Sequence, residues 1–319
     1  MTAWISKNNF ECSDYLKKFK ADYNAAMAKY DYNKAIADWN SQNEAYKKAC
    51  AEAKKAGKPA PEMPFKLRYC KPNPETCYDT FRSPSGHFNT KVAPLGKFGV
   101  RGVLWYQGEA DAQGDSLKNF RSTFSAVVKS WRENFGKKDM PFFWVQLPSF
   151  NSNWGDVRMA QMLCLNDIKN GGMVCSIDTG EKNDIHPKDK APVATRMANL
   201  VLQKVYGKNV NAVAPIVNRV EYEGNVADVY FNTFGKALVQ KGDLKGFEIK
   251  VGGKWIKPQA ELMGFRARLT LPKGTPANTI DGVRYLYAGW SAPDVSLFDT
   301  EGIPVAPFIS DRANSTPVK

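Results

Sequence analysis

Between residues 99 and 206, short apolar runs alternate with stretches of helical periodicity, and this alternation constrains the fold more than any other feature. The apolar runs are GVRGVLWY at 99–106, PFFWVQL at 141–147 and GMVCSID at 172–178. The helical stretches are 116–135, 155–169 and 188–206. Because buried parallel strands are continuously apolar and are joined by helices, the pattern predicts an α/β fold with a parallel sheet.

Two further regions flank this predicted core. Residues 13–57 have helical periodicity, with Ser13 as a plausible N-cap, and predict an inserted long helix or a broken hairpin of two helices. After residue 207, short β runs separated by Gly, Asn and Lys turns predict a small antiparallel β domain that resembles a sandwich. We therefore expect one domain over 1–207 and a second over 208–319.

Composition limits the kinds of partner. The net charge is +13, but the charges are dispersed and form no Lys/Arg run of the kind that binds nucleic acid. The sequence contains no run of eighteen apolar residues, so no membrane span is predicted. The six cysteines include no CxxC pair and there are only two histidines, so neither a metal nor a cofactor is expected. Cys70 and Cys77 flank a proline-rich loop and could form a disulfide, although the sequence does not fix the pairing.

Polar residues follow the first and third apolar runs, where the carboxyl ends of parallel strands place reactive groups. His186 follows the third run, with Asp184 two residues before it, as in a general base with an orienting carboxylate. Gln107, Gly108 and Glu109 follow the first run, and the amide groups of the first two are suited to an oxyanion hole. The alternative interpretations are a helix-start histidine without a chemical role and a polar turn that ends a strand.

No nucleophile accompanies these groups. Gly114-Asp115-Ser116-Leu117 spells an esterase signature, but Ser116 opens a predicted helix, and a helix-capping role for Asp115 or Ser116 is the preferred interpretation. No GxSxG segment occurs in the chain. The residues alone therefore predict a base and an oxyanion hole without a nucleophilic partner.

Four segments resemble the sialate O-acetylesterases, a family of the SGNH hydrolases. They are SPSGHFNTKVAPL, GVRGVLWYQGEADA, PFFWVQLPSF and DTGEKNDIHPKDK. The similarity extends over essentially the whole chain. It implies a flavodoxin-like three-layer sheet, incomplete here, with a helical insertion and a small C-terminal antiparallel β domain.

The resemblance also implies roles for individual residues. His186 corresponds to the base that activates the serine, and Gln107 and Gly108 correspond to the block that helps to build the oxyanion hole, with Glu109 beside them. Asp184 is the candidate orienter, although the wider superfamily places its aspartate three residues before the histidine, where this chain has Asn. Asn89 is expected to line the substrate pocket.

The family's nucleophilic serine lies in a segment that precedes the part matched here, so we expect an amino-terminally truncated chain that is inactive alone. The expected function is hydrolysis of acetyl esters on sugars, either O-acetyl sialic acid or acetylated plant polysaccharide. The rival hypotheses are a catalytically inactive glycan-binding protein and a scaffold whose lysine-rich helices bind an acidic partner. The family resemblance implies a secreted or periplasmic protein, and the sequence leaves the oligomeric state open.

Overall fold

The computed structural model describes residues 1–75, 83–276, 279–313 and 317. The chain divides into two compact units: Met1–Gly99 with Ser122–Lys138, and Val100–Arg121 with Asp139–Lys319. In these described ranges, no helix combines the length and apolarity needed to cross a membrane.

Seven α-helices are described, together with several shorter helical segments. The α-helices are α1 Asp14–Ala28, α2 Tyr32–Lys55, α3 Phe65–Tyr69, α4 Gly114–Lys118, α5 Phe120–Asn134, α6 Gly155–Asp167 and α7 Ala191–Tyr206. The 3₁₀ helices are Thr2–Trp4, Lys7–Cys12, Ala93–Leu95, Glu109–Asp111 and Ala292–Asp294, and a π-helix covers Phe88–Val92.

Thirteen strands are described, three of them in the predicted α/β region. These three are β1 Val103–Trp105, β2 Phe142–Val145 and β3 Gly171–Val174. The others are β4 Ile216–Glu223, β5 Val226–Asn232, β6 Leu238–Gln240, β7 Phe247–Val251, β8 Lys254–Ile256, β9 Gln259–Met263, β10 Arg266–Thr270, β11 Ile280–Tyr285, β12 Leu297–Asp299 and β13 Phe308–Asp311.

The predicted insertion is a broken pair of helices, α1 and α2. The Ser13 side chain accepts a hydrogen bond from the Leu16 backbone N–H at 3.3 Å, which confirms the predicted N-cap. Asp31 caps α2 in the same way, accepting from the Lys34 N–H at 3.0 Å. A second cap inside the periodic stretch is why the chain forms two helices there instead of one.

The parallel sheet is confirmed, with the strand order β1-β2-β3. Trp105 pairs with Trp144, and Trp144 pairs with Met173, so all three strands end at the same edge. The expectation that β1 is fully buried is wrong, because the Leu104 side chain is 60% exposed between the buried Val103 and Trp105. As an edge strand of the described sheet, β1 leaves one face uncovered.

Helices cover both faces of the sheet and give three layers. Phe143 and Val145 pack in one apolar cluster with Val193, Met197 and Leu200 of α7. Trp144 points to the other face, where its Nε1 donates to the Gln161 carbonyl of α6 at 3.0 Å. Successive side chains of a strand point to opposite faces, so β2 is buried on both sides.

The region after residue 207 is the predicted antiparallel β structure. It contains two four-stranded sheets, β4-β5-β10-β9 and β13-β11-β7-β8, and a β12-β6 ribbon. Phe231 of the first sheet meets Phe308 of the second edge to face, with ring centroids 6.3 Å apart, as in the core of a sandwich. Residues on both sides of 207 belong to the second compact unit, and the domain boundary stays a prediction.

Candidate active site

The loops that follow β2 and β3 run together beyond the sheet. The backbone N–H groups of Gln146, Ser149 and Asn151 follow β2, and each donates to a carbonyl of β3 or its loop. The respective acceptors are Val174 at 2.9 Å, Thr179 at 3.2 Å and Lys182 at 3.2 Å. The loop that carries Asp184 and His186 is therefore fixed at its beginning by backbone pairing.

Gly180 allows this close approach. Its φ is +111°, and a Cβ added to it would lie 2.1 Å from the Ser149 carbonyl oxygen. Any side chain at this position would clash with backbone and would also adopt a φ that L residues rarely accept. Gly180 is thus a positioning residue for the histidine loop that the sequence analysis did not single out.

We expect Gly180→Ala to lower the free energy of unfolding by about 3 kcal/mol, because it combines backbone strain with a backbone clash. Gly235→Ala is the matched control, since Gly235 has a φ of +85° but no atom within 4 Å of the added Cβ. The control should lose only about 1 kcal/mol. Urea unfolding followed by fluorescence measures both values, and equal losses would contradict the role given to the clash.

The two predicted oxyanion donors bind carboxylates of their own loop. The Gly108 N–H donates to Oε2 of Glu109 at 2.9 Å, and Nε2 of Gln107 donates to Oδ2 of Asp111 at 2.8 Å. Oε1 of Gln107 is buried, and none of the described residues forms a hydrogen bond with it. Both donors therefore form hydrogen bonds to carboxylate oxygens, and an oxyanion is a group of the same kind. At the Gly108 N–H, the Glu109 carboxylate lies where an oxyanion would bind.

Gln161 of α6 holds the ends of β1 and β2 in place. Its side chain is 1% exposed; Oε1 accepts from the Leu147 N–H at 2.9 Å, and Nε2 donates to the Val145 carbonyl at 3.2 Å and the Gln107 carbonyl at 3.4 Å. A Cβ at Gly108 would lie 3.0 Å from this Nε2, so a larger residue there would displace it. Gln161 was not predicted, because its only signal in the sequence is an amide within a helix rich in apolar residues.

His186 lies on the exposed part of the third loop. Oδ1 of Asp184 accepts a hydrogen bond from the His186 backbone N–H at 2.9 Å and lies 3.7 Å from Nδ1 of the imidazole. The His186 side chain is 88% exposed, and its imidazole hydrogen-bonds to no serine among the described residues. Asp184 therefore fixes the backbone at His186, and the imidazole is open to a partner.

The strands that precede Gln107 and His186 are not neighbours in the sheet. Gln107 follows β1 and His186 follows β3, and the sheet order places β2 between these two strands. They share one rim because the strands are parallel. A contact across β2 joins the two loops, since Nζ of Lys190 lies 5.3 Å from the ring centroid of Tyr106. Burial and the nearby Glu109 carboxylate raise the pKa of Tyr106 to about 12, so its hydroxyl stays protonated at neutral pH.

The other residues named from the sequence are Asn89, Ser116 and the cysteines. Asn89 is an exposed residue of the π-helix in the first compact unit, and its role in a pocket stays a prediction. Ser116 lies inside α4, whose N-cap is Gln113, so neither Asp115 nor Ser116 is the N-cap of this helix. Cys77 lies outside the described residues, and the disulfide with Cys70 stays a prediction. Within the described ranges, no three His, Cys, Asp or Glu side chains converge as metal ligands.

Comparison with known proteins identifies the class. Residues 86–203 match the model of a family described as carbohydrate esterase, sialic acid-specific acetylesterase. This segment contains all the residues proposed for the site. The chain is similar to a carbohydrate acetylesterase from Xanthomonas citri of known structure, with a TM-score of 0.67 and 30% identity over 72% of this chain and 54% of that one. The fold is thus that of a carbohydrate esterase.

Two curated relatives narrow the class. The sialate O-acetylesterase of Pongo abelii is 26% identical over 75% of this chain and 52% of its own length. That of Homo sapiens is 26% identical over 73% of this chain and 50% of its own length. Residues 86–203 are thus similar to the sialic acid-specific acetylesterase family of carbohydrate esterases, and the chain spans about half the length of these relatives.

Proposed function

We propose that the chain supplies the histidine and the oxyanion donors of a carbohydrate O-acetylesterase, and that the nucleophilic serine comes from a segment preceding residue 1. The observation that carries the proposal is the anion-binding geometry of Gly108 and Gln107 on the rim that also bears the open imidazole of His186. The family match to residues 86–203 supports the same reaction class.

The proposed reaction is acyl transfer to water. The serine hydroxyl attacks the acetyl carbonyl while His186 accepts its proton, and the oxyanion that forms accepts hydrogen bonds from the Gly108 N–H and the Gln107 amide. The intermediate collapses to an acetyl-serine, and the imidazolium returns its proton to the departing sugar oxygen. Water then attacks the acetyl group with His186 as base, which releases acetate and restores the serine.

The Glu109 carboxylate must leave the Gly108 N–H before the oxyanion can bind there. Displacement of the carboxylate costs one charge-assisted hydrogen bond. The same displacement removes a negative charge from the place where the charge of the oxyanion develops. Glu109 is therefore proposed to turn toward the substrate, where its oxygens accept hydrogen bonds from sugar hydroxyls.

Asp184→Asn in the protein extended by its upstream segment is expected to lower kcat/KM about tenfold, because an amide orients the imidazole less well than a carboxylate. Asp189→Asn is the matched control, because Asp189 makes an equivalent loop bond to the Ala191 N–H at 3.0 Å. Equal losses of kcat/KM in the two variants would contradict the orienting role.

The substrate is proposed to be an acetylated sugar. The names of the curated relatives specify sialate, and O-acetyl sialic acid is the first substrate to test. Acetylated plant polysaccharide is the second, because the residues of the site fit any acetyl ester on a sugar ring. A secreted or periplasmic location follows from the same family resemblance.

Acetate release from both substrates and from 4-nitrophenyl acetate tests the proposed function. The isolated chain is expected to show no turnover that depends on His186. The protein extended by the in-frame segment upstream of Met1 is expected to hydrolyse at least one of them. Turnover by the isolated chain that disappears in His186→Ala would show that the nucleophile lies within this chain.

A glycan-binding protein without activity is the second candidate, and the exposed imidazole without a serine partner favours it. The extended protein separates the two functions. Binding of acetylated sugar without acetate release would support the second candidate and reject the first.

A further inference from the structure

The C-terminal β region contains an open cleft away from the rim of the parallel sheet. Its volume is about 480 Å³, and residues 244–248, 257–260 and 286–294 contribute to its lining. No lining residue belongs to the loops that follow β1 and β3. The polar and aromatic side chains of the lining include Lys245, Glu248, Lys257, Tyr287, Trp290 and Asp294, and we name the site the Trp290 cleft.

The backbone around the Trp290 cleft is held rigidly. Leu286 has a φ of +47°, a left-handed conformation that is strained for a branched residue, and its N–H donates to the Gly246 carbonyl at 2.8 Å. The carbonyl of Leu286 accepts from the buried guanidinium of Arg158 at 3.4 Å. The Tyr287 hydroxyl donates to the Asp156 carboxylate, which fixes the ring in the cleft wall. The cleft is therefore a preformed site.

Aromatic surface in the cleft suits a sugar ring. Trp290 is partly exposed, and Tyr287 is a buried wall residue. Flat apolar rings beside polar side chains match a pyranose, which has an apolar face of C–H groups and a rim of hydroxyls. A volume of 480 Å³ accommodates one or two sugar units.

The charges of the cleft favour an acidic sugar. Both oxygens of Glu248 accept bonds from Arg284, at 2.7 and 3.0 Å, so this carboxylate is already neutralised. Lys245 and Lys257 are exposed and form no ion pair with any residue in the described part of the chain. The lining therefore has two ammonium groups and one carboxylate, that of Asp294, for which the described residues show no ion pair, and the net charge of the whole chain is +13.

We infer that the Trp290 cleft binds a carboxylated sugar, with the ring against Trp290, the carboxylate near Lys245 and Lys257, and hydroxyls bonded to Asp294. The inference concerns a second site and does not rest on the proposed function. The cleft is nonetheless tied to the rim, because the backbone N–H groups of Ser291 and Ala292 donate to Oγ of Ser149 at 2.6 and 2.9 Å.

Ligand-observed NMR titration of the chain with galacturonate and galactose tests the inference, since the two sugars differ only in the carboxylate. Galacturonate is expected to bind in the millimolar range and about fivefold more tightly than galactose. Trp290→Ala should weaken galacturonate binding about tenfold. Lys257→Gln should weaken it by about twofold to fivefold, while galactose binding stays unchanged.

Lys254→Gln is the matched control, because Lys254 is exposed on β8, three residues before Lys257, and does not line the cleft. It should leave the affinity for both sugars unchanged. Circular dichroism melting confirms that each variant is folded. Three results would overturn the inference: no binding of galacturonate, equal affinity for both sugars, or equal effects of Lys257→Gln and Lys254→Gln.

Discussion

Arg158→Ala is expected to lower the free energy of unfolding by about 3–5 kcal/mol, the largest stability effect of any substitution considered. Arg158 is 0% exposed and donates to five backbone carbonyls. These belong to Leu147, Pro148, Leu286, Ala288 and Gly289, at distances from 2.9 to 3.5 Å. Alanine would leave all five carbonyls without this donor, and the loss costs most at the buried bonds to Leu147, Pro148 and Leu286, where water does not replace it.

These five carbonyls belong to two loops, which the Arg158 guanidinium joins. The loss of stability in Arg158→Ala should therefore come from these loops. Two of them follow β2 at the rim, and three lie in the loop that forms the Trp290 cleft. Burial lowers the pKa of Arg158 to about 10, so the guanidinium is still charged at neutral pH. Its charge is distributed over carbonyl dipoles, and no carboxylate in the described residues forms an ion pair with it.

Two variants make the Arg158 prediction specific. Arg158→Lys retains the charge but not the planar set of donors, and should show an intermediate loss. Arg121→Ala is the matched control, because Arg121 forms a two-bond ion pair with Asp167 at 2.6 and 2.7 Å but is 44% exposed. It should lose less than about 1 kcal/mol. Urea unfolding measures all three, and a loss for Arg158→Ala no larger than that of the control would reject the account.

His186→Ala in the extended protein is expected to lower kcat for acetyl-ester hydrolysis by about 10²–10⁴-fold. The imidazole is the proposed base in both half-reactions, so its loss leaves neither the serine nor the water activated. The free energy of unfolding should change by less than about 0.5 kcal/mol, because the side chain is 88% exposed and packs against little.

Lys188→Ala is the control for the same loop, since Lys188 is also exposed and two residues from His186. It should keep kcat within about twofold of the unmodified protein. Initial rates of acetate release give the comparison. Retention of most of the activity in His186→Ala would remove the histidine from the mechanism and leave only the binding interpretation.

The parallel sheet could be predicted because its strands are continuously apolar. β2 is buried on both faces, and its continuously apolar FFWV sequence is typical of such a strand. The alternation of apolar runs and periodic stretches then fixes helices on both sides. β6, β12 and β13 were not predicted, because they have three or four residues and no clear alternation of apolar and polar positions. β9 was also missed, although Gln259 and Glu261 alternate with Ala260 and Leu262.

The candidate residues were predictable, but their contacts were not. Gln107, Gly108 and His186 could be selected as site residues because they follow apolar runs that were predicted to be strands. The bond from the Gly108 N–H to Glu109 depends on the local turn, which the sequence does not specify. Arg158 and Gln161 were missed because their partners are backbone carbonyls and amides from loops, some of them more than a hundred residues away. A pattern of residue types carries no signal of such contacts.

A structure of the extended protein with its serine trapped as a tetrahedral adduct tests the central claim most directly. The account predicts that the adduct oxygen lies about 3 Å from the Gly108 N–H, that Glu109 has left this N–H, and that the imidazole of His186 contacts the serine oxygen. An adduct whose oxygen is bound elsewhere, with Glu109 still accepting from Gly108 and His186 still open to solvent, would contradict it.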